Sequence, residues 1–210
     1  MGFTATLRYP SLPLRLVTDS FRAGYQRRLA GYLAPLLDGV GSALDVGCDD
    51  GSMASELMAL RPGIEFRGVD IQTLRPARIP RAMYDGHTLP FHDGTFDAVI
   101  AIDVLHHTRH IPELLAEMAR VSRRLVILKE HLVEGAWSTF LVGLGDVLSN
   151  APYGIGCAFN YPTLAGWQAS FDAAGLDLVE LRQDLDLGPG CIRRYNPLFK
   201  LSKGGRGSLE

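Results

Sequence analysis

Short apolar runs alternate with amphipathic segments along most of the chain. The apolar runs predict strands over residues 43–47, 64–70, 81–85, 96–102, 125–128, 176–181 and 193–201. Spacing of apolar positions near 3.6 residues predicts helices over 52–60, from Pro112 onward and over 162–174. This alternation predicts a doubly wound α/β fold with a mostly parallel, seven-stranded sheet and an antiparallel final strand. The carboxyl ends of the parallel strands would then lie along one edge, where ligands bind.

Two segments lie outside this alternation. Near the N-terminus, Thr18 or Asp19 is typical of an N-cap, and the apolar stripe that follows predicts a cover helix over 19–37. Residues 131–161 combine an apolar helical run with turn residues, and we interpret them as a cap inserted over the site. We expect one domain over 1–207, and residues 208–210 are typical of a vector-derived remnant.

Composition narrows the classes of partner. A formal net charge of −2 disfavours a general attraction to nucleic acid. A local basic patch of Arg22, Arg27 and Arg28 is possible, although a solvated helix face is the commoner explanation. Three widely spaced cysteines without a CxxC pair favour a reducing, cytoplasmic setting. No apolar run reaches the roughly 18 residues that a membrane span needs, and the oligomeric state leaves no trace in the sequence.

The strongest chemical signal is a glycine turn after the first strand of the sheet. The strand that contains Asp45 runs into Gly47 and Gly51, and a second strand ends in Asp70 nineteen residues later. Such a pair of elements predicts a cofactor with a ribose, because the second acid can accept hydrogen bonds from the two ribose hydroxyls. In the dinucleotide spacing, Asp49 and Ser52 replace two of the three glycines. We expect the acids of this loop to repel a pyrophosphate and to favour a cationic cofactor such as S-adenosylmethionine.

Four motifs follow one another between residues 40 and 130. They read Leu44-Asp45-Val46-Gly47-Cys48-x-x-Gly51, then Gly68-Val69-Asp70-Ile71, then Asp85-Gly86-x-x-Leu89-Pro90-Phe91-x-Asp93-Gly94-x-Phe96-Asp97, and finally Asp103-Val104-Leu105-His106-His107. In order and spacing they resemble the class I S-adenosylmethionine-dependent methyltransferases, in particular the small-molecule type 11 group. The resemblance implies a Rossmann-like fold, S-adenosylmethionine as cofactor and S-adenosylhomocysteine as product.

The resemblance also implies roles for the residues that match. The residues that would hold the methionine portion of the cofactor are Asp45, Gly47 and Gly51, and Cys48 lies inside the same motif. Three positions would bind the nucleoside. Asp70 would accept from the ribose hydroxyls, and Ile71 would pack against adenine. Asp85 would accept from the adenine amino group, with the Gly86 amide beside it. The backbone of Ile102 and Asp103 would line the region near the sulfonium.

Two departures from the family pattern concern turns. Asp49 stands where the family usually has glycine, and aspartate tolerates the left-handed backbone region better than most residues. The Pro-Gly-Gly turn before the fifth strand is replaced by residues 121–124. We expect cofactor binding to survive both changes.

Histidines follow the fourth strand and end the fifth. Asp103, His106, His107 and His110 have a spacing that resembles a set of metal ligands, but Pro112 starts the helix later, and we predict no metal site. His106 or His107 is a candidate base or substrate contact, with a packing or capping role as the alternative. Lys129, Glu130 and His131 end the fifth strand, and we favour His131 over Glu130 as the side chain that faces the ligand edge; the alternative is that they are surface residues closing a strand.

The predicted cap carries both polar and apolar candidates. Asp146 and Asn150 lie four residues apart on a predicted helix, with Tyr153 and Tyr161 nearby in sequence. Its apolar residues indicate either a partly apolar substrate or ordinary core packing, and they are Trp137, Phe140, Leu141, Leu144 and Phe159. The leading prediction is methylation of a small molecule. The alternatives are a regulatory protein that binds the cofactor without turnover, and a methyltransferase acting on RNA or protein.

Overall fold

The computed structural model describes residues 12–73, 75–150, 158–183, 185–187 and 193–204. Its helices are α1 (Leu12–Leu33), α2 (Ser52–Leu60), α3 (Ile111–Val121), α4 (Ala136–Asn150) and α5 (Leu164–Ala173). Its strands are β1 (Ser42–Val46), β2 (Glu65–Asp70), β3 (Arg81–Met83), β4 (Phe96–Ile102), β5 (Ser122–Lys129), β6 (Leu176–Arg182) and β7 (Leu198–Lys203). Short 3₁₀ turns cover Ala34–Leu37 and Leu105–His107.

Within the described residues, the strands form one seven-stranded sheet in the order β3-β2-β1-β4-β5-β7-β6. The first five in this order are parallel, whereas β7 runs antiparallel to both β5 and β6. The predicted fold class is therefore confirmed. The chain order reverses between β1 and β4, and such a switch point opens a crevice at the carboxyl ends of the strands.

Several predicted boundaries were wrong. Strand β5 begins at Ser122, within the residues 121–124 expected to form a turn, and β3 ends at Met83. Helix α1 begins at Leu12, so Thr18 and Asp19 lie inside it rather than at its cap. Pro13 lies in the first described turn of α1, where a missing N–H breaks no hydrogen bond, so this proline is compatible with the helix. Strand β7 begins at Leu198, five residues after the predicted start.

Apolar side chains fill both faces of the sheet. One core lies under α3 and α5, where the rings of Trp167, Phe171 and Phe199 are fully buried against one another. The other lies under α1 and α2, with Leu29, Leu33 and similar residues on the buried side of α1. This packing fixes the strand ends that carry the site. None of the helices searched among the described residues is long and apolar enough to cross a membrane.

Candidate active site

The turn after β1 requires glycine at two of the predicted positions. Gly47 has a φ of +71°, and a Cβ there would lie 2.5 Å from Val104 Cγ2. Gly51 has a φ of +76°, and a Cβ there would lie 2.6 Å from Ile79 Cγ1. Both positions combine a left-handed backbone with no space for a side chain. The turn therefore keeps bare backbone at the carboxyl end of β1.

Two buried carboxylates lie beside this turn. Asp45 is 2% exposed, and its Oδ2 has no hydrogen-bond partner among the described residues. Burial, together with the charges of Asp70 and Asp50, raises the pKa of Asp45 to about 8. Asp70 accepts hydrogen bonds from the backbone N–H groups of Asp49 (2.8 Å) and Gln72 (3.1 Å). A buried acceptor without a partner is costly, so the Asp45 site suits a ligand that brings a positive charge or a donor.

The acidic side chains of the turn after β1 are paired with arginines. The expectation that these acids repel a pyrophosphate was therefore wrong. Arg22 of α1 lies 2.7 Å from Asp49 Oδ2 and 3.6 Å from Asp50 Oδ1. Arg75 reaches Asp49 (3.8 Å) and Arg78 reaches Asp50 (3.6 Å). The two negative charges are therefore compensated, and they do not by themselves select a cation. Arg22 is not merely part of a solvated helix face, although Arg27 and Arg28 are exposed.

Asp49 adopts the conformation expected of it. Its φ of +47° lies in the left-handed region that glycine supplies in the family pattern. Its N–H binds Asp70, and the Arg81 guanidinium donates to its carbonyl oxygen. The prediction that aspartate can replace glycine in this turn is confirmed at the level of backbone geometry.

The remaining predicted nucleoside contacts lie at the ends of β2 and β3. Ile71 is 58% exposed next to Asp70, and its Cγ2 would lie 3.4 Å from a Cβ at Gly86. Asp85 is exposed, and its Oδ1 accepts from the N–H groups of His87 (2.8 Å) and Thr88 (2.7 Å). These hydrogen bonds lower the pKa of Asp85. Cys48 is different, because its sulfur packs against Gly68 in the core and leaves only its backbone for a ligand.

Asp103, directly after β4, is held by two residues that sequence reasoning missed. Its φ is +56°, and its Oδ2 accepts a 2.8 Å hydrogen bond from the Tyr25 hydroxyl of α1. The buried Lys129 ammonium lies 2.5 Å from Oδ1. Although burial would raise the pKa of Asp103, this ammonium lowers it to about 2. Ile102, at the end of β4, is half-buried beside it. In the sequence, Tyr25 was only part of the apolar stripe of the cover helix, and Lys129 was only one of three polar residues that end the fifth strand.

His106 lies between two buried carboxylates. Its Nδ1 is 2.7 Å from Glu130 Oε2, and its Nε2 is 3.5 Å from Asp146 Oδ1. Burial alone would lower the pKa of His106, but the two carboxylates raise it to about 10. An imidazole that already holds its proton cannot accept another, so this geometry argues against His106 as a base. Glu130 also accepts from the N–H groups of Val104 and Leu105, and it is completely buried.

Two further histidines pack against His106. The ring centroids of His107 and His131 lie 4.1 Å and 4.6 Å from that of His106. Burial and the Lys129 ammonium lower the pKa of His131 to about 4, so its ring is neutral. Its Nδ1 is buried and has no hydrogen-bond partner in the described part of the chain, whereas its Nε2 lies 3.9 Å from Asp103 Oδ1. His110 is not part of this cluster; it is half-exposed and packs edge-on against His87.

Helix α4 closes the histidine cluster with its polar face. Asp146 is 3% exposed and accepts a 2.6 Å hydrogen bond from the Tyr161 hydroxyl. The opposite face is apolar and exposed, with Trp137 at 69% and Phe140 at 57%. The side chain of Asn150 and all of Tyr153, Cys157 and Cys191 lie outside the described residues.

Comparison with known proteins decides the family. A family model described as "Methyltransferase domain" matches residues 19–181. The chain belongs to this methyltransferase family. Methyltransferase GfsG of Streptomyces halstedii is 28% identical over 179 residues, which cover 74% of this chain and 61% of that protein. The methyltransferase chain thus spans about three fifths of the length of this curated relative.

Solved structures share the fold of this methyltransferase. A putative methyltransferase in complex with the Trm112 methyltransferase activator of Haloferax volcanii aligns with a TM-score of 0.64, 18% identity, and coverage of 95% and 99% of the two chains. Geranyl diphosphate C-methyltransferase of Streptomyces coelicolor, in complex with Mg²⁺, geranyl-S-thiolodiphosphate and S-adenosyl-L-homocysteine, aligns with a TM-score of 0.63, 14% identity, and coverage of 83% and 75%. The chain therefore has the fold of these methyltransferases, one of which holds S-adenosyl-L-homocysteine.

Proposed function

We propose that this methyltransferase binds its cofactor along the carboxyl ends of β1, β2 and β4. The buried Asp45 Oδ2, which has no partner within the described ranges, fits the cofactor, because S-adenosylmethionine carries both an ammonium and a sulfonium group. In this proposal Asp45 and the backbone of Gly47, Cys48 and Gly51 hold the methionine portion. Asp70 keeps lone pairs for the ribose hydroxyls, since each of its oxygens has one backbone partner.

The nucleoside and the sulfonium would be bordered by the neighbouring strand ends. The exposed Ile71 side chain would pack against adenine, with Asp85 and the Gly86 amide at its amino group. The backbone of Ile102 and Asp103 would line the sulfonium, next to the Asp103 carboxylate. An exposed isoleucine beside a buried acid supports this arrangement, because apolar exposure within a polar rim is typical of a ligand site.

The acceptor would be bound between the cofactor and the histidine cluster, and the function is transfer of a methyl group to a small molecule. S-adenosylmethionine supplies an activated methyl group when bound, so the chain must orient the acceptor and remove its proton where it has one. His131 carries this proposal: its buried Nδ1 has no hydrogen-bond partner among the described residues, while Nε2 lies 3.9 Å from Asp103 Oδ1. Its pKa of about 4 makes it a weak base, which suits a proton that becomes acidic as the acceptor is methylated. His131 is the proposed base, and His107 is a proposed acceptor contact.

The proposed acceptor is a small, partly apolar molecule, handled by a cytoplasmic enzyme. Phe159, 56% exposed, packs its ring 6.4 Å from that of Tyr161, so apolar surface begins next to the polar cluster. A net charge of −2 gives no support to RNA as the substrate. The GfsG relative is itself named a methyltransferase, which favours turnover over a purely regulatory role.

A labelled-methyl assay tests this function. The chain would be incubated with S-adenosylmethionine labelled in the methyl group and with fractionated small-molecule, RNA and protein extracts. We expect label in the small-molecule fraction, none with Asp70→Asn, and about 10²- to 10⁴-fold less with His131→Gln. The His131→Gln variant should still bind S-adenosylhomocysteine, which separates loss of chemistry from loss of the cofactor. Label found only in RNA or protein, or full activity of His131→Gln, would contradict the proposal.

A further inference from the structure

The polar cluster under α4 brings together ligand atoms of the kind that transition metals bind. One nitrogen each from His106 and His107 and one oxygen from Asp146 all lie within 4.8 Å of one another. This trio differs from the set that the sequence suggested, which included Asp103 and His110. Asp146 comes from the other side of the cluster, 40 residues further along the chain.

The orientation of His106 leaves one ring nitrogen for an ion. Its Nδ1 is engaged by Glu130 Oε2 at 2.7 Å, while its Nε2 is buried without a hydrogen-bond partner in the described residues. Histidines that bind metals usually donate their second N–H to a carboxylate, which fixes the tautomer and the ring. Glu130 holds His106 in this way. The His106 residue is almost fully buried, with an exposed fraction of 1%.

Asp146 is oriented in a comparable manner. The Tyr161 hydroxyl donates to Asp146 Oδ2 at 2.6 Å, which directs Oδ1 towards His106. The distance from Asp146 Oδ1 to His106 Nε2 is 3.5 Å, longer than a well-formed hydrogen bond. Two ligands of a tetrahedral ion with bonds near 2.0–2.1 Å are about 3.3 Å apart, so an ion would fit between these atoms with little movement.

Electrostatics favours a cation at this position. Three carboxylates lie around the His106 ring; two of them approach its nitrogens at 2.7 Å and 3.5 Å, and the third is paired with the Lys129 ammonium. They are Glu130, Asp146 and Asp103. A divalent ion at His106 Nε2 would offset part of the charge of the two carboxylates that approach this ring.

We propose that His106, His107 and Asp146 form a binding site for a divalent transition-metal ion. Two imidazoles and one carboxylate suit Zn²⁺ or Fe²⁺ and leave coordination positions open. The inference rests on the proposed function in one respect: the open positions would face the acceptor, which would then be a molecule with an oxygen donor. The ion would act there as a Lewis acid.

Metal binding can be measured on the full chain without turnover. The chain would be stripped with a chelator, dialysed, and titrated with Co²⁺ by visible absorption and with Zn²⁺ by calorimetry. We expect one ion per chain, with affinity lowered at least tenfold in Asp146→Asn and His107→Gln. Glu130→Gln should lower it about 10- to 100-fold through the position of His106. His110→Ala is the matched control, since His110 is exposed outside the cluster, and it should bind like the wild type.

The outcomes separate this inference from the proposed function. Absence of Co²⁺ bands and Zn²⁺ heat in the wild type would overturn the metal site, and so would equal binding by Asp146→Asn, His107→Gln and His110→Ala. In each case the stabilisation of the same samples by S-adenosylhomocysteine is measured as well. If it persists and a small molecule is still methylated, the proposed function stands without a metal. A variant that shows this stabilisation is also folded, so its loss of metal binding would count as support.

Discussion

The hydroxyl of Tyr25 donates a 2.8 Å hydrogen bond to the carboxylate of Asp103, 78 residues away in the chain. Burial and the Asp103 charge raise the pKa of Tyr25 well above its usual value, so the hydroxyl remains a donor. Helix α1 is thereby attached to the end of β4, where Asp103 has a left-handed backbone. Arg22, one helical turn earlier, binds the acids of the turn after β1. The N-terminal helix thus contacts both strand ends that border the proposed cofactor site.

A double-mutant cycle measures the strength of this attachment. Tyr25→Phe and Asp103→Asn should each lower the free energy of unfolding, and together they should show a coupling of about 1–2 kcal/mol. The reason is that the bond joins a partly buried carboxylate to a neutral donor. Urea unfolding of the wild type, the two single variants and the double variant gives the value. Strictly additive effects would mean that the hydroxyl and the carboxylate contribute independently.

Gly47 should tolerate no side chain. A Gly47→Ala variant combines a φ of +71° with a contact of 2.5 Å between its Cβ and Val104 Cγ2. We expect a loss of about 2–4 kcal/mol in stability and weaker cofactor binding. Gly31→Ala is the control, because Gly31 lies in α1 with nothing within 4 Å of a Cβ, and alanine there should stabilise. Chemical denaturation of both variants tests the contrast, which would be absent if the turn could relax freely.

Cofactor affinity should depend on pH through Asp45. Its pKa is about 8 without a ligand, and a bound cation stabilises the carboxylate, so binding releases a proton. The dissociation constant should fall with rising pH below 8, by up to about tenfold per unit. Calorimetry with S-adenosylhomocysteine between pH 6 and 9, in buffers of different ionisation enthalpy, counts the protons. In Asp45→Asn the dissociation constant should no longer depend on pH in this way. Any pH dependence that remains would come from titration of the ligand.

The titration of Asp45 also makes the stability of the folded chain depend on pH. The folded pKa of Asp45 is raised from 3.8 to about 8, so the folded state holds a proton that the unfolded state has lost. This contribution is fully present below pH 3.8 and is lost as pH rises through 8. Without cofactor, Asp45→Asn should therefore gain stability relative to the wild type between pH 5 and 9. Thermal unfolding at several pH values tests this, and a constant difference would show that Asp45 does not titrate in that range.

Local patterns were sufficient for the fold. Helix α2 and strand β4 have the predicted bounds, since a strong apolar period and a flanking turn define each of them. The predicted helix end at residue 37 was also close, because a 3₁₀ turn over Ala34–Leu37 follows α1, whereas the predicted start was not, because proline is compatible with a first helical turn. The predicted antiparallel final strand is β7, which runs antiparallel to β5 and β6.

Only those site residues that lie at the ends of strands were predictable from the sequence. Asp45, Asp70 and Asp103 terminate or follow neighbouring strands, so the topology alone brings them to one edge. The partners that set their charge come from distant segments, and no local pattern reveals that Arg22 faces Asp49 or that Asp146 faces His106. For the same reason the sequence suggested the wrong selective role for Asp49 and Asp50.

The proposed site depends most directly on Asp70, and a cofactor-induced thermal shift tests it. At about 100 times the dissociation constant, S-adenosylmethionine should stabilise the wild type by about 2.7 kcal/mol, which raises Tm by several degrees. Asp177→Ala, an exposed position on β6, should show the same shift. Asp70→Ala and the milder Asp70→Asn should melt cooperatively without any shift. A wild-type shift that survives in both Asp70 variants would place the cofactor elsewhere and contradict the account.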